Sequence, residues 1–99
     1  MSIDIERWRK LSIEEQMANI SSEVGRAINS RDDPQRCNGA IRRAVDLFSL
    51  TAKCHSGNRL QEILRARDEF LRLFYDGSKD FEAIERYFHW FALLVRNKY

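Results

Sequence analysis

Along most of the chain apolar residues return every three or four positions, the spacing that gathers one face of an α-helix. Ile13, Met17, Ile20, Val24, Ala27 and Ile28 make the first such stripe. Ahead of it, Ser12-Ile13-Glu14-Glu15 has the form of a capping box, in which a hydroxyl and a carboxylate each satisfy an exposed backbone amide. A second stripe holds Cys37, Ala40, Ile41, Ala44, Val45, Leu47, Phe48 and Thr51. Asp33-Pro34 opens it with an N-cap followed by proline at the first helical position, and Lys53 and His55 before Gly57 suit its C-terminal end. A third stripe runs through Leu60, Ile63, Leu64, Phe70, Leu71 and Phe74, with Asn58 as its expected cap and Gly77 as its stop. A fourth, starting near Asp80, carries Phe81, Ile84, Phe88, Phe91, Ala92 and Val95.

This pattern predicts helices at about 13–31, 34–54, 59–76 and 81–97, preceded by a shorter helical turn around Ile5 and Trp8. Each long helix would be roughly 25 to 32 Å, with short connections between them. No strand pattern competes. The expected fold is all-α: one helical domain over residues 1–99, an antiparallel up-down four-helix bundle with a short N-terminal helical segment.

Composition narrows the setting. Ninety-nine residues with 43% hydrophobic and 32% charged content suit one soluble domain with a core of its own. The longest mostly apolar run, Tyr87 to Val95, contains His89 and falls short of the roughly 20 residues a membrane helix needs. The start, Met1-Ser2-Ile3-Asp4-Ile5-Glu6, lacks the basic and apolar regions of a secretory signal, so a cytoplasmic, reducing compartment is expected. Cys37 and Cys54 share one expected helix, about 25 Å apart along its axis, which is too far for a disulfide. Basic and acidic residues nearly cancel at 17 to 15, but 13 of the basic residues are arginine, the side chain suited to bidentate, partly desolvated contacts.

The segments Gln16-Met17-Ala18-Asn19-Ile20-Ser21-Ser22-Glu23-Val24-Gly25-Arg26-Ala27, Arg43-Ala44, Leu50-Thr51, Arg59-Leu60, Arg65, Arg67, Phe74-Tyr75-Asp76-Gly77, Tyr87-Phe88 and Phe91-Ala92 carry a likeness. Through them the chain, from about Leu11 onward, resembles a group of small uncharacterised prokaryotic helical proteins. Ser49 stands where that group often has an acid. The resemblance implies a compact helical fold and no particular activity.

Four places carry candidate chemistry. Arg67 points into the third stripe, where an unpaired guanidinium would cost several kcal/mol, so it is expected to form a buried ion pair or an anion site with Glu23 of the first helix. Ser21 and Gly25 leave a strip without bulk, best read as the close approach of a neighbouring helix. On the fourth helix Trp90 projects roughly opposite Phe81 and Phe88, with Tyr87 and Leu94 beside it. Such a surface is either an association surface or covered by an N-terminal segment with Ile3, Ile5 and Trp8. The second helix holds Arg36, Arg42, Arg43 and Lys53 against Asp46, a local excess that permits nucleic-acid contacts, although Arg36 and Arg43 lie on a different side from Arg42 and Lys53.

Catalytic and metal chemistry have less behind them. Cys54 and His55 diverge by about 100° at a helix end, and Glu85 and His89 lack the second Glu-x-x-His motif of a di-iron bundle. The helical ribonucleases of prokaryotic toxin systems place four to six residues between an arginine and the histidine that follows it, and neither His55 nor His89 follows an arginine at that distance. The sequence thus favours a non-enzymatic protein-association module without cofactor or metal, partnered by itself as a homodimer or by another protein. A weak nucleic-acid-binding or nuclease-associated accessory protein is the alternative.

Overall fold

A computed structural model describes residues 4–76 and 80–98 of the chain, without the side chains of 91, 92 and 94–98. Among the described residues all regular structure is helical. Local capping chemistry sets most of the starts. Asp4 caps α1 (Ile5–Arg9) by accepting from the Glu6 amide. Ser12 opens α2 (Ile13–Asn29) with a complete capping box: its hydroxyl accepts from the Glu15 amide at 3.1 Å, and the Glu15 carboxylate accepts from the Ser12 amide at 2.9 Å. Asp33 accepts from the Arg36 amide ahead of α3 (Pro34–Lys53). Asp80 accepts from the Ala83 amide at the head of α5 (Phe81–Lys98).

The start of α4 (Gly57–Tyr75) differs from expectation. Asn58 lies inside its first turn, Ser56 is the capping residue without a side-chain bond, and Gly57 adopts φ 63°, a left-handed conformation that turns the chain from α3 into α4. The expected stop, Gly77, lies outside the described residues, and α4 ends at Tyr75.

Packing centres on α2, which lies most extensively against α5 and α3; α4 packs on α3 and more lightly on α5, and α1 rests on α3. Glu23 of α2 meets Arg43 of α3, and Ala27 meets Cys37, so later residues of α2 face earlier residues of α3. The radius of gyration, 13.1 Å, equals that of a compact chain of this length. Ile20, Val24, Ala27, Ala44, Phe48, Phe70 and Phe88 are sealed in the core. Phe48 joins three helices there, with ring centroids 6.2 Å from Phe70 and 6.0 Å from Phe88. Rings continue from Phe70 to Phe74 at 5.5 Å and from Phe74 to Phe81 at 5.7 Å, both near edge-on, an arrangement that adds about 0.5–1.5 kcal/mol per pair to area burial.

A polar clamp fixes α1. Trp8 is buried, and its indole N–H donates to Thr51 Oγ1 at 2.9 Å while that hydroxyl donates to the Leu47 carbonyl. The Gln16 amide donates to the Trp8 carbonyl at 2.9 Å, which turns its oxygen to accept from His55 Nε2 at 2.7 Å. Four segments are tied together by groups that would otherwise be buried without partners.

Arg67 requires a correction. The buried residues of α4 are Ile63, Ala66, Phe70 and Leu73, so its core face is turned by roughly 80° from the one the leucine-rich stripe suggested. Arg67 therefore stands at the border, its side chain 36% exposed, and pairs with neighbouring Asp68 at 3.1 Å. Glu23 finds other partners. Cys37 and Cys54 are both unbridged, and no described helix is long and apolar enough to cross a membrane.

Candidate functional site

Glu23 is 7% exposed on a helix face otherwise given to Ile20, Val24 and Ala27. A carboxylate buried there must be paired, and two arginines do so. Arg26, one turn later on α2, donates through Nη1 at 2.5 Å, and Arg43 of α3 donates through Nε at 3.0 Å to the other oxygen. Both guanidinium groups reach the wall of a cleft of about 720 Å³ between α2 and α3. Asn29 and Ser30 complete the α2 side; Asp33, Gln35, Arg36, Gly39 and Ala40 supply the α3 side. Arg36 turns back on its own cap residue, Asp33, at 3.6 Å. Gly39 leaves room for an arginine head: a Cβ there would stand 3.3 Å from Arg43 Nη1.

The four basic residues expected on α3 are thus divided. Arg36 and Arg43 enter the cleft together with Arg26, which the charge count along α3 alone could not include. Arg42 and Lys53 are exposed and do not line it. Arg43 is the partner missed for Glu23. The available signal was the helical register, since Glu23 and Arg43 border the apolar stripes of the two helices that the Asp33-Pro34 turn brings side by side.

The aromatic face of α5 is the second place of interest. Trp90 is 58% exposed, Tyr87 45% and Leu93 37%. The Leu94 side chain lies outside the described residues. Tyr87 stacks edge-on against Phe88 at 5.1 Å, and burial pushes its hydroxyl pKa up, with Glu62 adding to the rise and Arg65 opposing it. This side of α5 therefore adjoins α4. Of the N-terminal residues considered as its cover, Trp8 is held at Thr51 instead, and Ile3 lies outside the described residues.

Ser21 and Gly25 border an open groove of about 390 Å³ between α2 and α5, lined also by Glu85, Arg86 and His89. Among the described residues a Cβ on Gly25 would meet nothing within 4 Å, so none of them makes the close approach expected of this glycine. Cys54 and His55 border a shallow polar recess with Arg59 and Glu62. The His55 pKa is lowered by burial and by the nearby Arg59 charge, and that of Cys37 is raised by burial. Among the described residues no three histidine, cysteine or carboxylate side chains are grouped to hold a metal ion. The chain matches no protein-family model, no curated protein and no solved structure.

Proposed function

We propose that this chain is a non-catalytic helical module of the cytoplasm that works by association, pairing with a second copy of itself through the Tyr87, Trp90 and Leu94 side of α5. The observation that carries the reading is Trp90, 58% exposed in a chain whose other tryptophan is sealed by a hydrogen bond. Tyrosine and tryptophan together in water are uncommon on a monomer and common at the centre of an interface. In this reading α2 to α5 form an up-down antiparallel four-helix bundle. Its support is the cyclic order of packing, α2 on α3, α3 on α4, α4 on α5 and α5 on α2. A C2 dimer would set one α5 against the other and bury the same residues twice.

Size-exclusion chromatography with light scattering tests the proposal. The parent is expected at twice its chain mass of 11.8 kDa, and Trp90→Glu at the single mass. A monomeric parent, or a Trp90→Glu variant that stays dimeric, removes this interface.

A further inference from the structure

We infer that the cleft between α2 and α3 binds a small hydroxylated phosphate monoester, a sugar phosphate or nucleoside monophosphate, with its phosphoryl group between Arg26 and Arg43. Glu23 holds both guanidinium groups, taking one donor from Arg26 and one from Arg43. A guanidinium has five N–H donors, so each head keeps others for a second acceptor. The tether also restricts side-chain freedom that binding would otherwise have to freeze. Two cations around one carboxylate leave a net positive end, while Arg36 and Asp33 balance each other farther along. A phosphoryl dianion suits that end because its planar face of oxygens matches the guanidinium fork.

Residue order places the rest of the ligand. Glu23 meets Arg43 and Ala27 meets Cys37, so the cationic end lies farther from the turn along the helix pair, while Asn29, Ser30, Asp33 and Gln35 stand at the turn. These side chains offer both donors and acceptors, as hydroxyl groups require. A volume of about 720 Å³ falls within the span of small-molecule sites. A long polyanion is the poorer fit, since Arg42 and Lys53 do not extend the cationic wall.

Titration calorimetry of the full chain with ribose 5-phosphate and with adenosine monophosphate tests the site. Saturable one-to-one binding is expected, displaced by inorganic phosphate, weakened about tenfold by Arg26→Gln and by Arg43→Gln, and unchanged by Arg42→Ala. Arg26 is mostly in solvent, so Arg26→Gln keeps the test valid if Arg43→Gln fails to fold. The inference is overturned by absence of binding at millimolar ligand to folded protein, or by full affinity in either glutamine variant that folds. It is equally overturned by a single-stranded RNA oligonucleotide that binds a hundredfold tighter than the monophosphate and loses affinity on Arg42→Ala.

Discussion

Glu23 on α2 and Arg43 on α3, 20 positions apart in the chain, meet at 3.0 Å with the carboxylate almost wholly out of water. That contact fixes the register of the two helices, whereas the pair Arg67 and Asp68 joins neighbours on one helix and fixes nothing. Glu23→Gln is accordingly expected to lower unfolding free energy by about 1 kcal/mol, because both arginine partners are partly exposed and the gain is screened. Arg67→Ala should stay within about 0.5 kcal/mol of the parent. Urea denaturation of the two variants checks the contrast, and equal losses would contradict it.

The two glycines Gly25 and Gly57 should respond with opposite signs to the same substitution. Gly25 sits mid-helix with nothing within 4 Å of an added Cβ, so Gly25→Ala should raise stability by about 0.5–1 kcal/mol through lower unfolded-state entropy. Gly57 holds φ 63°, where a side chain costs about 1–2 kcal/mol, so Gly57→Ala should destabilise. Thermal unfolding of both proteins reads the signs directly.

Stability should also fall on mild acidification. Burial first, then Arg59, lower the pKa of His55 below its ordinary value, so the unfolded chain binds more protons than the folded one as pH drops. The contribution is whole above the unfolded histidine value of about 6.5 and is lost as pH falls from there through the folded value. The expected result is a declining melting temperature between roughly pH 7 and 5, with a shallower decline in His55→Asn. Identical slopes in parent and variant would remove His55 as the cause.

Thr51→Val keeps the shape of a fully buried side chain and deletes the acceptor for the Trp8 indole. An unsatisfied buried N–H costs about 1–3 kcal/mol, and the loss should loosen α1 before the rest of the molecule. Acrylamide quenching in a Trp90→Phe background, where Trp8 is the sole emitter, should become more efficient in the variant; unchanged quenching would show that the bond does not hold α1 in place.

Helix chemistry was legible where it is local. Ser12 with Glu15, and Asp33 with Pro34, announce α2 and α3 because the groups that cap a helix lie within four residues of each other. The register of α4 was harder. Leu64 and Leu71 draw a hydrophobic reading toward their side, but Ala66 and Leu73 go to the core, since a small residue where helices meet has little hydrophobic weight and full burial. The clamp of Trp8, Gln16, Thr51 and His55 was not legible at all. Each residue is unremarkable alone, and their hydrogen bonds join positions up to 43 apart, a relation that exists only after the helices have docked. Likewise the cleft arginines come from two helices: helical register already sets Arg36 and Arg43 on a different side of α3 from Arg42 and Lys53, but nothing along α3 brings in Arg26.

The packing of α2 against α5 has a bearing on how the chain emerges from a ribosome. An α2 just synthesised can begin to bury itself on α3, but its most extensive partner begins at Phe81, more than fifty residues after α2 ends at Asn29. Until α5 has been made, the face of α2 that packs on it lacks that cover, and a nascent chain in this state would offer chaperones an amphipathic hairpin. Closure of the last helix onto the first long one spans more than fifty residues of chain, the kind of distant contact that slows folding.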